Sequence, residues 1–471
     1  MNLIYVFADQ WRASAAGFAG DPNVRTPNID RLAAQSVKFT TSVSNCPICT
    51  PYRASLLTGQ YPLTTGLFMN DLCLGSSAVS IAQVFRGCGY DTAYIGKWHI
   101  DGHGRSNYIP RERRQGFDYW KVLECTHNYN QSQYYDDRPE IKQWEGYDVF
   151  AQTRDAISYL NEKAGERVPG KQKPFILFLS YGTPHNPYHT APEKYRDLYD
   201  PANLVLPPDI SPECEMQARR DLAGYYAHIT AMDDAVGDLL EALERFNLME
   251  ESLFVLTSDH GDSVWSLCPP EGNINKQRPF DTSILTPFLL HCPSPMGIAP
   301  KTISTPICTP DIMPTLLDLC QIPIPDSVEG VSLAGEVRGG LPIDREGVLI
   351  ASYVPFADWS PQRGGVPFRG VRTARYTYVK TIEKPWLLFD HETDPFQLQN
   401  RVEDAALVPV RTRLDALLEK MLEEQGDDFP PADVLCMRYG YHSLDAKSCI
   451  PLDKGEEWYL HASRQRNSHH G

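Results

Sequence analysis

The chain has 471 residues, too many for one compact core, so one large domain and one smaller one are expected. Hydrophobic residues make up 42% and charged residues 22%, ordinary values for a soluble globular protein, and no apolar run approaches the length of a membrane span. The formal net charge of -16 argues against nucleic acid as a main partner, because no basic excess exists to neutralise phosphates, and an anionic ligand must be drawn in by local charge.

The opening residues 2–7 are apolar and β-prone and run into Ala8-Asp9-Gln10, which reads as a buried strand with polar groups at its carboxyl end. A basic leader and a cleavage site are lacking, so no signal peptide is expected and the chain as given reads as cytoplasmic. Thr26-Pro27-Asn28-Ile29 reads as an N-cap and a proline in the first turn of an amphipathic helix. Residues 91–95 form a second expected strand, leading into Gly96-Lys97-Trp98-His99, and 174–181 a third, leading into Thr183-Pro184-His185. A long helix is expected over 216–246, with Tyr225, Ile229, Met232, Val236 and Leu240 on one stripe. A fourth strand over 252–256 ends in Thr257-Ser258-Asp259-His260-Gly261-Asp262.

Strands therefore alternate with helices, and polar residues gather past the strands' carboxyl ends, as in an open α/β sheet with its site at that edge. Short strands over 371–380 and 386–390 and a helix over 408–425 suggest a small α+β domain, with a division into 1–343 and 344–471. The polar tail 464–471 is expected to fray. The 12 cysteines are scattered singly, apart from Cys46 and Cys49, and suggest no disulfide framework. Cys46-Pro47-Ile48-Cys49 lacks the second half of a zinc or redox motif.

Two features carry chemistry. Asp9 and Gln10 follow one strand and Asp259 and His260 another, so two carboxylates, an amide oxygen and an imidazole can converge on a divalent cation. Hard oxygen donors favour calcium, magnesium or manganese over zinc. The second is the run Cys49-Thr50-Pro51-Tyr52-Arg53-Ala54-Ser55-Leu56-Leu57-Thr58-Gly59. Pro51 suits a first helical turn, which places Cys49 at a helix N-terminus, where free N–H groups and the dipole favour an anion. Arg53, one turn on, points back toward the same spot.

The Cys49 run resembles the C-x-P-x-R signature of the formylglycine-dependent sulfatases. Gly96-Lys97-Trp98-His99 is similar to that family's G-K-W-H element, Thr183 to Tyr188 to its P-H-x-P segment, and Lys276-Gln277-Arg278-Pro279-Phe280-Asp281 to its K-x-x-P-[FY]-[DE] segment. Weaker likenesses at Thr309 to Asp318, Glu329 to Leu333, Val371 to Thr373 and Phe389 to Pro395 extend the resemblance over nearly the whole chain. It implies an alkaline-phosphatase-like α/β fold, a large mixed sheet between helices with a smaller antiparallel sheet. It implies that a maturation enzyme oxidises Cys49 to formylglycine, which joins Asp9, Gln10, Asp259 and His260 around a calcium ion, with manganese or magnesium as alternatives. Lys97 and His99 would contact the formylglycine, His185 and Lys276 the sulfate, and His99 would take the proton when sulfate leaves. Asp-Gln and Asp-His stand where many sulfatases have Asp-Asp and Asp-Asn, a variant similar to the choline-sulfatase and phosphonate monoester hydrolase branches.

The leaving-group side is less patterned. His103, Arg105, Arg111, Arg113 and Arg114 crowd the stretch after His99, and Cys125 to Tyr135, which includes His127, adds aromatic and amide groups. Aromatic faces with Asn, His and Arg edges suit sugar hydroxyls and anionic glycans. A sulfated carbohydrate is therefore the expected substrate, gripped by His103, Arg105 and His127, rather than a simple aryl ester. The rival readings are a phosphonate monoester or phosphodiester hydrolase with the same nucleophile, and a catalytically dead glycan-binding relative.

Overall fold

The computed structural model describes residues 1–166, 173–441 and 443–452; the tail 464–471 lies outside them. Its large sheet is built from β1 (Asn2–Asp9), β2 (Val37–Phe39), β3 (Asp91–Lys97), β4 (Tyr119–Leu123), β5 (Phe175–Pro184), β6 (Ser252–Ser258), β7 (Phe288–His291) and β8 (Lys301–Ile303). The order across the sheet is β8-β2-β7-β6-β1-β5-β3-β4. β1 lies parallel between β5 and β6, and β3 and β4 continue parallel on one side. On the other side β7 runs antiparallel to both its neighbours, which makes the sheet mixed.

Every residue of β1 is buried, because helices cover both faces. The two-residue period of a strand divides it between two cores. Leu3, Tyr5 and Phe7 face a cluster that includes Leu56 and Leu57 of α2 (Cys49–Thr58) and Leu316 of a later helix, Thr309–Leu319. Ile4, Val6 and Ala8 face the opposite cluster. That cluster holds Leu32 of α1 (Pro27–Ala34), Val149 and Tyr159 of α3 (Asp148–Gly165), and Tyr225, Ile229, Met232, Val236 and Leu240 of α4 (Glu215–Arg245).

The strands outrun their expected ends. β1 continues through Asp9, β3 through Lys97, β5 through Pro184 and β6 through Ser258. Polar side chains end the apolar pattern, but the backbone ladder persists into the carboxyl edge. Thr26 does not cap α1; its hydroxyl accepts from the Gly17 amide (2.8 Å) and donates to Asp30. The amides of Asn28 and Ile29 donate instead to Asp233 of α4, at 3.2 and 2.8 Å.

A second sheet is antiparallel, with β9 (Gly347–Ser352), β10 (Phe368–Thr373), β11 (Tyr376–Lys380) and β12 (Pro385–Asp390) in sequential order. The single strand expected over 371–380 is thus a hairpin, broken at Ala374-Arg375. Leu414 and Leu418 of α5 (Val408–Glu424) cover one face of this sheet, against Leu349, Val371 and Tyr378. The chain then returns to the large sheet's cluster, where the hydroxyls of Tyr439 and Tyr441 donate to the carbonyls of Leu63 and Gly66, both at 2.8 Å. No helix among the described residues is long and apolar enough to cross a membrane.

Candidate active site

The carboxyl edge of the parallel strands faces the start of α2. Ile48 is extended and Cys49 is the first helical residue; all ten residues of the helix are buried. Gly59 ends it with φ 67°, its amide donating to the Ser55 carbonyl at 2.8 Å. Of the free amides at its N-terminus, that of Thr50 donates to Asn70 Oδ1 (3.1 Å). The Cys49 Sγ, 1% exposed as a residue, lies 3.2 Å from Lys276 Nζ, 3.3 Å from His260 Nε2 and 3.6 Å from Asp9 Oδ1. Burial and Asp9 raise its pKa, but Lys276, Lys97 and His260 outweigh them and hold the thiol well below its ordinary value.

Asp9 ends β1, and Asp259 and His260 follow β6, the neighbouring strand. Arg53 binds these ends together: its guanidinium donates to the Lys97 carbonyl (2.7 Å), Ser180 Oγ (2.8 Å) and Asp259 Oδ2 (3.0 Å), and lies 3.6 Å from Asp9. Lys97, from the end of β3, pairs with Asp9. Burial opposes ionisation of Asp9, yet the charges of Lys97, Arg53 and Lys276 keep its carboxyl well below the usual range. Burial and the Asp9 charge instead push Asp259 up, against His260 and Arg53. Gly96 has φ 104°, and a Cβ there would stand 2.0 Å from the Ser180 carbonyl oxygen, so this close approach of β3 to β5 requires glycine.

Ligand atoms of Asp9, Cys49, Asp259 and His260 all lie within 4.8 Å of one another, and all four residues are buried. The His260 Nδ1 faces the Gly261 carbonyl at 2.9 Å, so that nitrogen carries a hydrogen and Nε2 is the ring atom that faces the carboxylates and would ligate a cation. The Gln10 amide nitrogen donates to Asp262 Oδ2 (2.8 Å), and its oxygen is buried with no hydrogen-bond partner. Two carboxylates, an imidazole lone pair and an orphaned amide oxygen are a donor set for a hard divalent cation, so the residues present fit one. The thiol stands where the hydroxyls of a hydrated aldehyde would stand.

Lys276 closes the opposite side. Its Nζ lies 3.4 Å from His185 Nε2, while His185 Nδ1 faces the Asn186 carbonyl at 2.8 Å. Burial and the neighbouring Lys276 charge hold His185 well below the ordinary histidine value, which makes its Nε2 an acceptor for Lys276. The His127 ring stacks on His185 with centroids 4.5 Å apart.

The structure thus brings Asp9, Gln10, Cys49, Arg53, Lys97, His127, His185, Asp259, His260 and Lys276 together. His99 is buried and faces Asp71 at 3.3 Å. Arg105 grips the same carboxylate with two hydrogen bonds, at 2.9 and 2.8 Å, and His103 Nδ1 faces the Asp101 carbonyl at 2.6 Å. The other arginines of that stretch are paired too: Arg111 with Asp118, Arg113 with Asp101 and Arg114 with Asp137. The apparent basic patch is therefore largely neutralised by aspartate partners. Asn70, Asp71, Ser180 and Asp262 support the site but carry no sequence signal, since their hydrogen bonds and ion pairs form only in the fold.

A family model described as Sulfatase matches residues 1–322, and one described as N-sulphoglucosamine sulphohydrolase, C-terminal, matches 271–424. The chain is 45% identical to an ulvan-active sulfatase of Formosa agariphila, over 96% of this chain and 86% of that protein. It is 31% identical to an endo-4-O-sulfatase of Bacteroides thetaiotaomicron, over 93% of this chain and 95% of the other. Among solved structures it superposes with TM-score 0.81 and 30% identity on one from work on the metabolism of multiple glycosaminoglycans by Bacteroides thetaiotaomicron, covering 91% of this chain and 97% of that one.

Proposed function

The chain belongs to the sulfatase family and hydrolyses sulfate esters, and on that premise we propose that its substrate is a sulfated polysaccharide and its resident ion calcium. The observation that carries the chemistry is the buried Cys49 Sγ at a helix N-terminus, 3.2 Å from Lys276 and 3.3 Å from His260. In this family the cysteine is converted to formylglycine, whose hydrate supplies the attacking oxygen, and a divalent ion supplies positive charge to that oxygen and to the sulfate.

The chain's own residues do the rest. Asp9, Gln10, Asp259 and His260 would hold the ion, and their hard oxygen donors favour calcium. Lys97 and Arg53 keep Asp9 charged, and Arg53 holds Asp259 in place by a direct hydrogen bond. Lys276 offers an ammonium to the sulfate oxygens, and its pairing with His185 places a transferable proton beside the departing alcohol oxygen. His127, stacked on His185, walls the side on which that alcohol leaves.

The polysaccharide reading draws on the named substrates of the relatives and on a cavity whose lining includes Thr126 and Asn128, the chain neighbours of His127. This cavity, of about 240 Å³, is lined by Ser106, Thr126, Asn128, Gln131, Gln133 and Gln143 together with Leu123, and carries no charged group. Uncharged amides and hydroxyls match sugar hydroxyls. The test is release of inorganic sulfate from ulvan-type and glycosaminoglycan oligosaccharides, compared with an aryl sulfate and a phosphonate monoester. Faster turnover of both small esters than of every oligosaccharide would overturn the polysaccharide assignment.

A further inference from the structure

We infer that Asp71 and Arg105 are positioning residues that fix the imidazole of His99, with its Nε2 bearing the hydrogen and its Nδ1 lone pair turned toward the reacting group; this rests on the sulfatase reading of the site. His99 is 2% exposed. Its Nε2 lies 3.3 Å from Asp71 Oδ1, whereas its Nδ1 is buried with no hydrogen-bond partner. A buried imidazole nitrogen without a partner is costly unless a ligand or reacting group completes it.

Asp71 is an acceptor and nothing else. Arg105 clamps it as a fork, Nε on Oδ1 at 2.9 Å and Nη2 on Oδ2 at 2.8 Å. Against the effect of burial, Arg105 and His99 hold its carboxyl far below the ordinary range. A carboxylate kept ionised in this way can face only an N–H, so the Nε2 of His99 carries a hydrogen. The arrangement is anchored at both ends: the Arg105 carbonyl accepts from the Cys125 amide (3.1 Å), just past β4, and Thr50 Oγ1 donates to the His99 carbonyl (2.7 Å). Thr50 also donates its amide to Asn70, the residue before Asp71. The residue after Cys49 therefore ties His99 and Asp71 to the nucleophile's own helix. His99 and Asp71 both adopt left-handed backbone conformations, φ 57° and 63°, which non-glycine residues hold only where the surroundings fix them.

In this arrangement Arg105 acts through Asp71 and His99, and its main task is not to grip the leaving group. The test is a set of variants assayed on an aryl sulfate and on a sulfated oligosaccharide. Asp71→Asn, which keeps the shape if Asp71→Ala fails to fold, should lower kcat about a hundred-fold on both substrates with KM changed less than about threefold. Arg105→Ala should lose about tenfold on both, and Arg105→Lys should recover little, since a lysine has no fork. The double variant Asp71→Asn/His99→Ala should be no slower than His99→Ala, because Asp71 acts through that ring. Wild-type turnover in the same assay reports separately on the sulfatase reading. Nitrogen NMR of histidine-labelled wild type reports the His99 tautomer whether or not the enzyme turns over. An Nδ1–H tautomer, additive losses in the double variant, or an Arg105→Ala loss confined to the oligosaccharide would each overturn the inference.

Discussion

Replacing Arg53 by methionine removes one charge from the most buried part of the site while nearly preserving volume. The guanidinium is 2% exposed, sits 5.0 Å from the Phe7 ring and donates to Lys97 O, Ser180 Oγ and Asp259 Oδ2. The Lys97 carbonyl keeps a second donor, the Tyr94 hydroxyl at 2.7 Å, so its loss is minor. Asp259 keeps the backbone amides of Gln10 (3.0 Å) and His260 (2.8 Å) but loses the guanidinium that pairs with it. Breaking a buried ion pair from one side costs roughly 3–5 kcal/mol. Urea denaturation followed by tryptophan fluorescence, in chelator and then in excess calcium, measures the cost. The variant should be less stable by about 4 kcal/mol in chelator, and the gap should narrow in calcium, because a divalent ion takes over the charge that Arg53 balanced. Equal midpoints in chelator would refute the buried pair. A gap unchanged by calcium would refute a cation site built on the same carboxylates.

Protein made with an active maturation system should carry an aldehyde at position 49 that a hydrazide probe labels; fully active protein that does not label would sink that nucleophile. Thorough chelation, or Asp259→Ala, should abolish turnover and leave the far-ultraviolet circular dichroism unchanged, and full activity without metal would contradict the donor set. Asp148, the first residue of α3, is pushed up to about 8 by burial. With an unfolded value of about 3.9, its neutral form contributes stability that is complete below that pH and lost as pH rises through about 8. Asp148→Asn should therefore flatten the fall in melting temperature over that window, and a parallel fall in both proteins would exclude this carboxyl as its source.

The four central parallel strands were legible because burial on both faces leaves long apolar runs, as in Leu3 to Ala8. Their ends were not, because Lys97 and Asp9 stay in the ladder after the apolar pattern stops. The site residues come from segments that meet only at the sheet's edge, and the motifs around Cys49, Lys97, His185 and Lys276 made them recognisable one by one. Asp71 was invisible: it lies in a turn, and His99 and Arg105 are 28 and 34 positions away. Without it, Arg105 reads as a free cation and the arginines beside it as a basic surface, although each has an aspartate partner. The return of Tyr439 and Tyr441 to the large domain left no mark on composition either.

The complete burial of α2 sets a timetable for biosynthesis. Both strands that flank β1, and the lysine that closes over Cys49, lie far downstream, so a nascent chain exposes Cys49 until Lys276 has emerged. At about 5–20 residues per second, the roughly 230 residues between them take on the order of ten to fifty seconds to translate. An enzyme that oxidised Cys49, as the sulfatase signature implies, would have that interval in which to reach the thiol. Purified, folded, unmodified protein should gain almost no aldehyde when mixed with such an enzyme, whereas the same protein held in denaturant and diluted into it should gain it readily. Codon changes that slow or hasten this stretch should shift the modified fraction of the product while leaving its sequence untouched.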